Sequence, residues 1–296
     1  MDDILLDPSF WQSHPLLLAG CVAVFALIIG SFLNVVILRL PAMMEYTWRR
    51  EAQQLLESDV TFSNTTGEPL NLSHPPSTCP KCGHRIRPWE NVPVISYLVL
   101  RGRCKSCRAP ISARYPVIEI ATALLSVVVA LHFGATWVTF SALGFTWALI
   151  ALSVIDIDHQ LLPDSITLPL LWAGLIVNTH GLIVPLEQAL WGAVFGYLSL
   201  WLVYWGFKLV TGKEGMGYGD FKLLAALGAW LGWKMLPLII ILSSFVGAVI
   251  GLSLTLALGR DKNVPIPFGP YLAMAGWIAL LFGEKLVQEY MAFSAL

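Results

Sequence analysis

The stretch "PLLLAGCVAVFALIIGSFLNVVIL", Pro15 to Leu38, contains no Asp, Glu, Lys, Arg or His across 24 residues. A helix needs roughly 20 predominantly apolar residues to cross the hydrocarbon core of a bilayer. The stretch therefore reads as a transmembrane helix. The rest of the chain agrees: it is 56% hydrophobic and 12% charged, with a mean hydropathy of +0.70, whereas soluble domains carry about 25% charged residues. Spans are expected near 16–38, 115–133, 136–155, 166–183, 188–208, 221–233, 236–258 and 267–284. The run from Leu223 to Gly259 is too long for one crossing; dividing it at Gly232-Trp233-Lys234 and Pro237 leaves a short sixth span. The expected fold is an all-α polytopic membrane protein of about eight transmembrane helices, with seven as the alternative count.

Asp2, Asp3 and Asp7 precede the first apolar run, and no Lys or Arg occurs before Arg39. The positive segment of a secretory signal is missing, so the first span is expected to persist as a helix. The large hydrophilic segment, 39–114, carries eleven of the eighteen Lys and Arg residues. The positive-inside rule puts it in the cytoplasm and the acidic N-terminus outside. Eight alternating crossings then place Lys208, Lys213, Lys222, Arg260 and Lys262 inside as well, with Lys234 and Lys285 outside. A net charge of −1 and the lack of a basic tract give no reason to expect nucleic-acid binding. No repeat with a period of 20–50 residues and no low-complexity tract stands out.

Cys21 lies within the first apolar run and reads as a small apolar residue. The other four cysteines form two knuckles in the hydrophilic segment, Cys79-Pro80-Lys81-Cys82 and Cys104-Lys105-Ser106-Cys107. Four thiolates so arranged can close tetrahedrally around Zn²⁺ and leave no position open for chemistry, which predicts a structural site. Two disulfides, or a redox pair, would use the same residues. A cytoplasmic location disfavours the first, and the lack of a surrounding βαβ unit disfavours the second.

"SVIDIDHQLLPD", Ser153 to Asp164, closes the third expected span, and "EGMGYGD", Glu214 to Asp220, precedes the sixth. Both junctions fall on the cytoplasmic side, so carboxylates from two helices can meet at one depth. Two close carboxyls share a proton, because both cannot comfortably ionise together. One then activates water as a general base while the other, protonated, polarises a carbonyl. The competing reading makes Asp164 the N-cap of the fourth span and Asp220 a cap of the sixth. Asp158 follows Asp156 by two positions, about 200° away on a helix. Residue chemistry alone leaves both readings open.

Several motifs occur together: Gly30-Ser31-Phe32-Leu33-Asn34 with Arg39-Leu40-Pro41, the two knuckles, Pro88-Trp89-Glu90-Asn91, Asp156-Ile157-Asp158 through Asp164, Gly217-Tyr218-Gly219-Asp220, and Pro265-Ile266-Pro267-Phe268-Gly269-Pro270. In this order they resemble the bacterial type IV prepilin peptidases, bifunctional leader peptidase/N-methyltransferases of the GxGD membrane aspartic protease kind. The likeness covers nearly the whole chain and is strongest to pseudomonad members serving type IV pili and type II secretion. It implies that Asp156 and Asp220 are the catalytic pair. It further implies cleavage of the basic leader of prepilins and pseudopilins after a Gly at the inner membrane's cytoplasmic face. Methylation of the new N-terminal residue, commonly Phe, by S-adenosylmethionine would follow.

No nucleotide-binding loop marks a methyl-donor site; Asn34, Arg39 and Glu119 are the candidates. An acid inside a membrane helix is by default a functional candidate, whereas Glu119 can also be read as reaching water or Arg114 at the interface. His132 and His180 read as interfacial residues, and His159 as a loop histidine. The resulting division is a methylase-associated region over 20–130 that includes the cysteine segment, a peptidase region over 135–255, and a last segment, 256–296, whose helix completes the bundle. The alternative is a transporter or membrane assembly protein, with a zinc knuckle that docks a partner and aspartates that carry ions.

Overall fold

The computed structural model describes residues 8–56, 71–213, 215–258 and 266–294. Asp2, Asp3, Asp7, Glu214, Arg260, Lys262 and Pro265, which entered the readings above, lie outside the described residues. The fold is all-helical; among the described residues the only β features are two isolated antiparallel bridges. Ten α-helices follow in chain order among the described residues: α1 Pro8–Ser13, α2 Pro15–Leu56, α3 Ile95–Val99, α4 Arg114–Phe133, α5 Trp137–His159, α6 Asp164–Thr179, α7 Leu186–Thr211, α8 Tyr218–Leu231, α9 Leu236–Leu258 and α10 Gly269–Ser294. Each of the eight expected spans is a helix, α2 and α4 to α10. Six of them are long and apolar enough to cross a membrane. The exceptions, α6 and α8, have 16 and 14 residues, and so reach only about 24 and 21 Å.

The chain forms two compact units, His14–Val128 and Val129–Leu296, the second including the short N-terminal helix. In the first unit α2 runs to Leu56, well beyond the apolar stretch. The extension is surface-exposed and rich in Met, Glu, Arg, Gln and Leu, which favour helix without needing a core. Glu45 and Arg49, one turn apart, pair on its surface. The hydrophilic segment thus begins as a continuation of the first span, not as a loop. Near the other end of the segment, α2 and α4 touch at Gly30, where a Cβ would stand 2.8 Å from the Glu119 Cα.

The second unit is built around α8, which packs against α6, α7 and α10. Nearly every residue from Asp220 to Leu231 is buried, so this helix meets protein on all sides and has no need of bilayer length. Its contact with α7 is backbone to backbone: a Cβ on Gly196 would lie 2.6 Å from the Leu224 carbonyl oxygen, and Gly192 and Gly228 face each other more closely still. Small residues four apart at a helix interface permit such approach. Asn178 fixes the far end of α8. Its amide donates to the carbonyls of Ala229 and Trp230, and its own oxygen accepts from the Ile183 and Val184 N–H groups. Gly232 at φ +79 then ends α8 and a single 3₁₀ turn, Trp233–Met235, leads into α9, so the chain divides where the sequence suggested. α10 packs on α5, α8 and α9, completing the bundle.

Candidate active site and cysteine centre

Asp156 lies in the last turn of α5 and is only 5% exposed, whereas Asp158 is exposed. The half-turn offset sends one carboxyl into the bundle and the other to the surface. The helix stops at once: Gln160 adopts a left-handed conformation and its N–H returns to the Asp156 carbonyl. Asp220 is the third residue of α8 and is 7% exposed. The two carboxyls come together against Leu162, close enough for the Asp156 charge to act on Asp220. Each is also held at the start of a helix. The Gly269 N–H, at the first position of α10, donates to Asp156 Oδ2 at 3.0 Å, and the Gly217 N–H, at the N-cap of α8, serves Asp220. Unpaired N–H groups and the positive dipole end make helix starts favourable for carboxylates.

Leu162 closes this arrangement. A Cβ on Gly219 would stand 2.8 Å from the Leu162 Cβ, and one on Gly269 would stand 2.6 Å from Asp156 Oδ2. Both glycines are therefore required, Gly219 where α8 meets Leu162 in the α5–α6 connection and Gly269 where α10 meets Asp156. The capping reading needs correction at Asp164. Pro163 occupies the N-cap of α6, and Asp164 instead accepts the Lys222 ammonium on both oxygens at 2.7 Å, tying α6 to α8. Asp220 shares in capping from the third position, not the N-cap. His159, His132 and His180 are exposed, and His159 is the last residue of α5 and not part of a loop.

In the first unit the four cysteine Sγ atoms lie within 4.8 Å of one another, an arrangement that can hold a metal ion. The two knuckles are the same hairpin. Cys79 N–H donates to the His84 carbonyl and Cys104 N–H to that of Ala109, while Gly83 and Arg108 take positive φ at equivalent places. The structure thus reveals a short duplication that residue identity had concealed. The Lys81 and Cys82 N–H groups bring the Cys79 thiol down to about 6, and N–H groups of Cys107 and Ser106 lower Cys104. Although the Ala109 N–H favours its thiolate, Cys107 is pushed up to about 11, chiefly by the neighbouring thiols and burial. Four packed sulfurs resist losing their protons together, a conflict that a bound cation removes.

Glu90, quoted above only as part of a motif, joins the knuckles. One oxygen meets His84 Nε2 at 3.0 Å and the other meets Lys105 Nζ at 3.0 Å. The hydrogen bond with His84 and then the neighbouring Lys105 ammonium hold its carboxyl down at about 2.

Asn34, Arg39 and Glu119 line one cavity of about 590 Å³ within this unit, whose walls also include Cys79 and Cys104. Asn34 donates to the Tyr115 carbonyl, and Arg39 to those of Asn71 and Leu72. Glu119 is 6% exposed and does not turn to Arg114. It accepts the Val94 N–H at 2.8 Å and the Ser31 hydroxyl.

Residues 24–133 match the family described as Bacterial Peptidase A24 N-terminal domain, and residues 143–252 match the Type IV leader peptidase family. A protein of Pseudomonas aeruginosa named prepilin leader peptidase/N-methyltransferase is 57% identical, with 98% of each chain covered. Proteins of the same name from Aeromonas salmonicida and Xanthomonas campestris are 56% and 49% identical, over 94% and 97% of this chain and 95% and 99% of theirs. This chain belongs to the type IV leader peptidase family. No solved structure matches it. The resemblance drawn from the motifs is thereby established at the level of the family. Gly269, Leu162 and Ser31 are motif residues whose contacts were not legible in the sequence, because each partner lies far along the chain, and Glu90 meets His84 and Lys105 only because the two hairpins come together.

Proposed function

We propose that this chain removes the leader from type IV prepilins and pseudopilins and then N-methylates the exposed terminus, with Asp156 and Asp220 as the peptidase pair. The observation that carries the reading is two buried carboxyls from different helices, mutually close, each steadied by one glycine N–H at a helix start. One carboxylate takes a proton from water, which attacks the scissile carbonyl, while the protonated partner donates a hydrogen bond to the carbonyl oxygen. Collapse expels the amine, which leaves with a proton from the pair. No metal is needed for these steps. The positive-inside distribution supports a periplasmic N-terminus and a pair facing the cytoplasmic side of the inner membrane, with the substrate's apolar helix in the bilayer.

The cysteine centre suits zinc. Zn–S distances of about 2.3 Å in a tetrahedron require sulfurs about 3.8 Å apart, and Cys79–Cys107 and Cys82–Cys104 stand at 3.9 and 4.0 Å. Zinc there would fix the fold of the segment. The cavity beside it falls within the roughly 300–1,000 Å³ of small-molecule sites, and we assign it to S-adenosylmethionine, whose role is to supply the methyl group. In that reading the methylase activity belongs to 20–130 and the peptidase activity to 135–255.

The test uses membranes bearing wild type, Asp156→Asn or Asp220→Asn, incubated with a prepilin, with cleavage followed by mass. Both variants should accumulate normally and cut nothing. Cutting at the wild-type rate by either one defeats the assignment.

A further inference from the structure

Glu119 is a buried carboxylate in the wall of the cavity with an unusual set of partners. Both of its hydrogen-bond donors are neutral, the Val94 N–H at 2.8 Å and the Ser31 hydroxyl. Among the described residues no Lys, Arg or His pairs with it. Of the basic side chains that line the cavity, Arg39 donates to the carbonyls of Asn71 and Leu72, Lys105 and His84 meet Glu90, and Lys81, on the cysteine hairpin, makes no pair with Glu119. A carboxylate removed from water without a countercharge is costly.

The setting that holds it is nevertheless specific. Val94 takes φ 58 and ψ −48, and the Ile95 N–H closes on the Pro93 carbonyl at 2.5 Å. This is the rare γ-turn, strained for any residue and more so for a β-branched one. Strain of this kind persists only where surrounding structure over-determines it. Here the turn aims one N–H at the Glu119 carboxylate. On the opposite side, Gly30 brings α2 against the Glu119 Cα and sets Ser31 beside the carboxyl. The carboxylate is fixed and lacks a cation.

We infer that Glu119 receives the cationic α-amine of the methyl acceptor, the new N-terminus of the cleaved apolar peptide. The inference rests on the assignment of this cavity to methyl transfer. The ammonium supplies the missing countercharge and gives one proton to the carboxylate, which leaves the nitrogen lone pair free. Nitrogen then forms a bond to the methyl carbon of the sulfonium donor as the carbon–sulfur bond breaks. The electron pair of that bond stays on sulfur, which becomes a neutral thioether, and Glu119 returns its proton to water. Ser31 and Val94 are positioning residues that orient the carboxylate.

The test is binding, measured without turnover. Full-length protein in lipid nanodiscs, free of methyl donor, is titrated with a fluorescent apolar peptide beginning with Phe, with its α-amine either free or acetylated. A charge-assisted contact predicts that wild type prefers the free amine by about ten- to a hundredfold. Glu119→Gln keeps a carbonyl oxygen to accept from Val94 and Ser31, so a purely structural role would leave the preference intact. We expect the preference to vanish in this variant, while equilibrium dialysis shows unchanged affinity for radiolabelled S-adenosylmethionine.

Three results overturn the inference: no preference in wild type, a preference that survives Glu119→Gln, or a loss of donor affinity in that variant, which would assign the carboxylate to the donor. Failure of the cavity assignment looks different. Photo-crosslinked S-adenosylmethionine would then map outside residues 14–128, whatever the peptide titration gives.

Discussion

The cysteine segment and the aspartate pair solve the same problem, fixing polar side chains beside a membrane, by opposite means. In the cysteine segment order comes from local turns and ligand chemistry. Two like hairpins present four sulfurs, and one carboxylate, Glu90, bridges His84 of the first hairpin and Lys105 of the second. Few large side chains are buried there; within the knuckles only Cys79 and Cys104 are buried. Around the pair, order comes from helix packing. Glycines let α7 and α8 approach at backbone distance and let α10 close on the Asp156 and Leu162 side chains, and the carboxyls ride on those contacts. The first arrangement should fail by loss of a ligand, the second by the addition of a methyl group.

The largest expected effect is therefore steric. Gly228→Leu would force apart α7 and α8, where Gly192 faces Gly228. Overpacking a tight interface costs about 1–3 kcal/mol and more when backbone must move. Thermal unfolding followed by tryptophan fluorescence should show a marked fall in midpoint, and an unchanged midpoint would break the packing account. Gly269→Val is next. A side chain there collides with Asp156 and Leu162, and a displacement on the order of 1 Å costs about a hundredfold in rate. Cleavage should drop to that extent in protein that still accumulates.

Cys79→Ser, or treatment with a chelator, should act elsewhere. Limited proteolysis should open the segment between residues 71 and 114 while the helices of the second unit remain resistant. A protein that keeps its protease pattern without metal would contradict a structural centre. The smallest effect is expected from Asp164→Asn. The ion pair with Lys222 is partly exposed, with side chains 54% and 30% accessible, and such pairs contribute about 0–1 kcal/mol. Most cleavage should survive, and a loss matching that of Asp156→Asn would make Asp164 part of the chemistry.

The sequence made the helices legible because apolar length is a direct physical requirement of crossing a bilayer, and the break near Gly232 was legible because the run there is too long for one crossing and is interrupted by Lys234 and Pro237. Helical periodicity separated Asp156 from Asp158 by about half a turn, but it was the resemblance that singled out Asp156, which the structure buries while Asp158 is exposed. Other features could not be read this way. The α2 extension beyond Leu38 has no apolar signal, only helix propensity. Asp164 carries the marks of an N-cap, yet its Lys222 partner lies 58 residues away. The duplicated hairpin is written in backbone hydrogen bonds and dihedrals, with Gly83 matched by Arg108. Glu119 was visible as an acid in a membrane helix, but its donors, Val94 N–H and Ser31, come from turns and packing that residue types do not announce.

If the two activities reside in separate units, a chain without its aspartate pair should still methylate a substrate that needs no cutting. The decisive measurement supplies Asp220→Asn protein with S-adenosylmethionine and a synthetic peptide that already carries the mature N-terminus, and follows methyl incorporation by mass beside cleavage of an intact prepilin. The account predicts wild-type methylation of the peptide and no cleavage of the prepilin. Loss of both in a protein that accumulates and unfolds like wild type would contradict it, because Asp220 would then serve a single shared site.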